Sequence, residues 1–118
     1  MSGKLNTHVL DTASGRPAAA MRVELHRLSR PDDRSRVADI VTNADGRSTV
    51  PLLAGEAMTA GTYELLFYVG DYYTGIGSAD AKRFLDVVPL RFTIEDPAQN
   101  YHVPLLVTPW GYSTYRGS

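Results

Sequence analysis

The sequence contains no cysteine. Disulfides, thiolate metal ligands and a cysteine nucleophile are therefore excluded, and packing and hydrogen bonding must hold the fold. It lacks an excess of either charge: 12 Lys and Arg against 13 Asp and Glu give a formal net charge of -1, which offers no basic footprint for nucleic acid and no attraction to an acidic membrane surface. Nowhere do about eighteen apolar residues follow one another, as a membrane span requires, and the opening MSGKLNTHVLD has no apolar core of signal-peptide length. The expectation is a cytoplasmic protein; a processed periplasmic form is the alternative, and Met1 argues against it. Gly70 to Gly77 lacks the lysine and the helix start of a phosphate-binding loop. No serine stands on a strand-to-helix elbow with an acid to orient a histidine, so a Ser-His-Asp triad is not supported.

What is present is the patterning of a small all-β domain. A chain of 118 residues has room for one core, so residues 1–118 are read as a single domain. Lys4 to Asp11 alternates, with Leu5 and Val9 facing inward and His8 outward. Met21 to Arg27 forms a second strand whose other face, Arg22, Glu24 and His26, is assigned to solvent. Ser29 to Arg36 is polar and reads as an exposed loop, followed by a strand over Val37 to Thr42. Asn43-Ala44-Asp45-Gly46 carries the Asp-Gly pair of a tight turn, which fixes Arg47 as the first residue beyond it. A short strand over Ser48 to Leu52 is expected next. Leu53 to Gly61 is loop or a single helical turn.

Thr62 to Val69 reads as a central strand and Val87 to Glu95 as another. Between them lies the one plausible helix: propensity favours Ala79 to Leu85, whereas position directly after the strand favours Asp71 to Ile76. Asp96 to Asn100 is a turn into the last hairpin. There Val103, Leu105 and Val107 alternate with His102, Pro104 and Leu106, Pro109-Trp110-Gly111 turns the chain, and Tyr112 to Tyr115 returns. Seven or eight short strands with turn signals between them indicate an antiparallel β-sandwich.

Two of the three histidines, His8 and His102, thus fall on outward positions of strands able to share a sheet. Beside them lie Leu10, Pro104 and Leu106, an outer face apolar enough for a subunit interface. Each histidine taken singly reads as a surface residue. A metal held by His8 and His102 would need a third ligand, and Asp11 and His26 are poorly placed for it. No metal and no cofactor are expected.

The segments Leu5-Asn6-Thr7-His8-Val9-Leu10-Asp11, Gly15-Arg16-Pro17-Ala18, Thr42-Asn43-Ala44-Asp45-Gly46-Arg47, Tyr101-His102-Val103-Pro104-Leu105-Leu106 and Tyr115-Arg116-Gly117-Ser118 together resemble the transthyretin-like 5-hydroxyisourate hydrolases over essentially the whole chain. The closing Tyr-Arg-Gly-Ser separates those hydrolases from the carrier transthyretin. The resemblance implies a prealbumin-like sandwich of about eight strands with one short helix, assembled as a homotetramer, a dimer of dimers with active sites at the dimer–dimer interface. It implies hydrolysis of the N1–C6 amide of 5-hydroxyisourate in urate degradation. Catalytic roles would fall to His8, Arg47, His102 and Ser118, and substrate binding to His8, Arg47, Tyr115 and Arg116. The competing reading is a carrier that holds a small apolar ligand. Two histidines and an arginine are costly for such a carrier to desolvate.

Overall fold

The computed structural model describes residues 3–30 and 32–117. Among them, eight strands form two four-stranded sheets with one short helix. The first sheet has the order β2 (Arg16–Pro17), β1 (Leu5–Asp11), β7 (Tyr101–Val107), β8 (Tyr112–Thr114), and the second β4 (Asp33–Val41), β3 (Arg22–Arg30), β5 (Gly61–Tyr68), β6 (Val87–Ile94). The pairs are antiparallel except one: β1 and β7 run parallel, in the register Leu5 with Tyr101 through Asp11 with Val107. The inward residues of both sheets, among them Leu5, Val9, Val23, Leu25, Leu65, Phe67, Leu105 and Val107, form one buried cluster. Alternation alone predicts this face correctly. Thr7 and Asp11 are polar exceptions on the β1 part of it; the Thr7 hydroxyl donates to the Val103 carbonyl at 2.8 Å, so its burial leaves nothing unpaired.

Position wins over propensity at the helix. Helix α1 spans Val69–Gly75 and follows β5 directly, while Ala79 to Leu85 forms turns. Propensity differences are worth a few tenths of a kcal/mol per residue, whereas burying one large apolar side chain is worth roughly 1.5–3 kcal/mol, and α1 buries Val69, Tyr72 and Tyr73. Both tyrosines also dock on β1. The Tyr72 hydroxyl donates to Asp11 Oδ2 at 2.9 Å and the Tyr73 hydroxyl to Asp11 Oδ1 at 2.7 Å.

Three local expectations are corrected. The Ser29 to Arg36 segment is mostly strand: β4 begins at Asp33 and pairs with β3 to make a hairpin, so polar composition marked an edge strand and not a loop. Ser48 to Leu52 forms no strand; at its end Leu52 N–H donates to the Leu5 carbonyl at 2.8 Å, and the next residue, Leu53, makes an isolated bridge with Leu5. The Glu24 and His26 face is not solvated. Glu24 is buried, and Arg22 and Arg36 approach its carboxylate at 2.7 and 3.1 Å while His26 Nε2 lies at 3.3 Å. Long arginine side chains lie across this sheet and cover the shorter polar groups, which a period-two pattern does not register. Glu64, one strand over, is buried in the same way beneath Arg34 and Arg91. No helix among the described residues is long and apolar enough to cross a membrane.

Candidate active site

The site is built on the outer face of the β1–β7 pair. In the parallel register Asn6 pairs with His102 and His8 with Pro104, so His8 and His102 sit one step apart on the same face. Their ring centroids are 6.4 Å apart. That spacing lets two imidazoles address one small group from neighbouring positions.

Arg47 arrives by a separate route. Asn43 Oδ1 accepts from the backbone N–H of Asp45 at 2.9 Å and of Arg47 at 3.2 Å, which closes the turn. Gly46 has φ +77 and lies flat on β1: Val9 N–H donates to its carbonyl at 2.8 Å, and a Cβ at this position would stand 2.4 Å from the Val9 carbonyl oxygen. Only glycine fits both the backbone conformation and the contact. The next residue is thereby bridged to His8, and the Asp-Gly turn that the sequence shows becomes the device that delivers Arg47 to the histidines.

The end of the chain meets the same place. Gly117 N–H donates to the His102 carbonyl at 2.7 Å, and a Cβ on Gly117 would stand 2.8 Å from His102 Cδ2. The tetrapeptide divides here. Tyr115 is 61% exposed and, with Arg116, lines a second cavity of about 240 Å³ between the edges of β6 and β8, beside Leu90, Phe92, Tyr101 and Val103. Arg116 lies over the Tyr101 ring at 4.2 Å and donates to Gln99 Oε1 and to the Asn100 carbonyl. Within one chain, then, His8, Arg47 and His102 converge with Gly117, while Tyr115 and Arg116 border a neighbouring recess. Ser118 lies outside the described residues.

A cavity of about 230 Å³ opens beside His102 and Arg47. It is smaller than the roughly 300–1,000 Å³ pockets that take drug-sized ligands, which suits a single small ring system. Sequence reasoning missed six of its lining residues: Lys4, Asn6, Ser48 and Asn100, and the buried Thr7 and Tyr101. Asn6 was within reach of that reasoning, since it shares the outward parity of His8 and faces His102 across the pair; Ser48 and Asn100 lie in irregular backbone, where periodicity carries no signal. Among the described residues no three His, Asp or Glu side chains are grouped as a metal ion would require.

Both imidazoles are held toward the neutral form. Burial is the largest cause at His8 and the Arg47 charge adds to it, against an opposing pull from Asp45, so its pKa falls below the ordinary 6.5. At His102 burial, Arg47 and His8 all act downward. A neutral imidazole near a guanidinium can take a proton from water while the cation stabilises negative charge on an attacked carbonyl. The apolar surroundings expected of this face are present: Leu10 and Leu106 are half-buried, and Pro104 is buried, its carbonyl accepting from the Thr114 hydroxyl at 2.7 Å.

Fold and site together define a transthyretin-type sandwich that carries an imidazole–guanidinium cluster on the outer face of one sheet. Residues 5–117 match the family model of the HIUase/Transthyretin family, and the chain belongs to that family. A 5-hydroxyisourate hydrolase of Deinococcus radiodurans is 55% identical over 120 residues, covering all of both chains. The crystal structure of an (S)-allantoin synthase superposes with TM-score 0.92 at 50% identity over 99% of this chain, which spans 44% of that protein's length. Sea bream transthyretin in complex with thyroxine superposes with TM-score 0.86 at 25% identity, over 97% of this chain and 94% of its own.

Proposed function

We propose that the protein is a 5-hydroxyisourate hydrolase that opens the six-membered ring at the N1–C6 amide. The observation that carries this reading is the convergence of two imidazoles held neutral, 6.4 Å apart, with Arg47 beside a cavity of small-ring size. Full-length similarity to a protein bearing that activity in its name supports the choice of substrate.

In the proposed reaction one imidazole, of His8 or His102, removes a proton from water as the water oxygen bonds to C6. Arg47 holds the oxyanion that forms. The C6–N1 bond then breaks, the imidazolium returns its proton to N1, and the new carboxylic acid ionises, so one water is consumed and 2-oxo-4-hydroxy-4-carboxy-5-ureidoimidazoline is formed. Neither a metal nor a covalent intermediate is needed, because a ring carbonyl flanked by nitrogen and an electron-poor carbon accepts water directly. Ser118 is assigned to orienting the water or a ring carbonyl, and Tyr115 and Arg116 to enclosing the substrate.

The assembly belongs to the same proposal. Because Tyr115 and Arg116 border a recess separate from the histidines within one chain, their substrate-binding role calls for an enclosure built from several copies. The proposed assembly is a dimer of dimers with each site at the dimer–dimer boundary. The half-buried Leu10 and Leu106, with Trp110 and Tyr112 exposed nearby in sequence, provide apolar surface for such a contact.

Ultraviolet absorbance of freshly generated 5-hydroxyisourate, followed with and without protein, tests the activity. Accelerated decay is expected. Unchanged decay combined with tight binding of an apolar aromatic ligand would select a carrier instead.

A further inference from the structure

The cavity beside His102 and Arg47 lies on the side of His102 away from His8, which does not line it. In the parallel pair His8 lies toward the C-terminal ends of β1 and β7, whereas Asn6 stands opposite His102 and Lys4 two residues before it with the same outward parity. Asn100 closes this end, accepting the Lys4 backbone N–H at 3.0 Å. No aspartate or glutamate lines the cavity, and among the described residues neither Lys4 nor Arg47 enters an ion pair. Two cations on one small cavity, with no counter-charge among the described residues, favour an electron-rich or anionic guest.

Ser48 adds an independent observation. Its hydroxyl is buried and has no hydrogen-bond partner among the described residues. An orphaned hydroxyl is unfavourable unless something completes it. Ser48 borders the cavity directly after Arg47, and rotation about its Cα–Cβ bond turns the oxygen toward a guest.

We propose that Lys4, Asn6 and Ser48 form a recognition subsite for the edge of the ring substrate that is not attacked. This rests on the hydrolase reading above. That edge alternates carbonyl oxygens with ring N–H groups and becomes anionic when an N–H is lost. The Lys4 ammonium donates to an oxygen, the Asn6 amide supplies a donor and an acceptor in the matching order, and the Ser48 hydroxyl completes whichever group it meets. Held this way, the ring presents its opposite carbonyl to the histidines and Arg47. These three side chains contribute to substrate affinity and His8 and His102 to turnover.

Steady-state kinetics on Lys4→Met and Ser48→Ala, with Lys4→Arg and Ser48→Thr as conservative controls, test the subsite alongside calorimetric titration with urate, a bicyclic trione with the same ring framework as the proposed substrate. Each truncating variant is expected to raise KM and the urate Kd about tenfold, the weight of one hydrogen bond to a charged or strongly polar partner, with kcat within about twofold. The conservative variants should keep most of the affinity. Unchanged KM and urate affinity in both truncations would overturn the subsite while wild-type turnover left the reaction intact. A fall in kcat at constant KM would overturn it equally, by moving these residues to the transition state. Were the wild type inactive, the reaction reading would fail and the urate titrations alone would decide the subsite.

Discussion

His102 is held on two sides, by the backbone of Gly117 and by its pairing with β1, and this makes the glycine of the tetrapeptide a positioning residue. Gly117→Ala forces its Cβ against the imidazole, 2.8 Å from Cδ2, so the ring must turn away. Misplacement of a reacting group by about an ångström costs up to about a hundredfold in rate. The expected outcome is a fall in kcat of about ten- to a hundredfold with an unchanged melting temperature, read by the absorbance assay and by calorimetry. The charge on Arg47 has a separate consequence. It disfavours the imidazolium at both histidines, so His8 and His102 should titrate below 6.5 in the wild type. Arg47→Gln removes that repulsion and should move both titrations upward, as read from the histidine ring protons by NMR. The acid limb of the activity profile moves with them.

At the scale of elements, the site depends on two contacts that dock other segments, a turn and a helix, onto β1. The Asn43–Gly46 turn lies against Val9, and α1 is tied to Asp11 by Tyr72 and Tyr73. Burial alone would raise the Asp11 pKa, but the hydrogen bonds from Tyr73, Tyr72 and Ser14 outweigh it and hold the carboxyl ionised. Burial, together with the bonds the two hydroxyls donate to the charged Asp11, pushes Tyr72 up to about 12 and Tyr73 further. Gly46→Ala attacks the first contact. A left-handed backbone costs a non-glycine residue roughly 1–3 kcal/mol, and the 2.4 Å approach to the Val9 oxygen adds to that. We expect Gly46→Ala to lower stability by about 2 kcal/mol or more in urea unfolding, and to depress activity beyond that loss because Arg47 is displaced.

For the whole molecule, acid is the weak direction. Glu24 is pushed up by burial, yet its bonds to His26, Tyr68 and Arg36 and the charge of Arg22 bring it down to about 2; Glu64 is lowered beneath Arg34 and Arg91 in the same manner. Carboxyls that are more acidic in the folded than in the unfolded chain stabilise the fold fully above the unfolded value of 4.5 and lose that contribution as pH falls toward the folded value. His8 and His102 add an earlier loss that begins below 6.5, because the unfolded chain takes up their protons first. The melting temperature should therefore decline gently below 6.5 and steeply between about 4.5 and 2. Glu24→Gln should lower stability at neutral pH and flatten the steep part; an unaltered acid slope would show that this carboxylate is not the group responsible.

The amino-acid sequence alone determined the strand faces, the Asp-Gly turn ahead of Arg47 and the outward parity shared by His8 and His102, because alternation and turn chemistry are local consequences of backbone geometry. It left the helix undecided, took the β4 edge for loop and assigned Glu24 to water. Those outcomes depend on groups distant in the chain: Asp11 draws Tyr72 and Tyr73 across the molecule, and arginines from three strands cover Glu24 and Glu64. The parallel pairing of β1 with β7 and the docking of Gly46 and Gly117 on it were likewise settled only in three dimensions. A catalytic cluster is a set of distances between separate segments, and such distances exist only once the sheets have closed on one another.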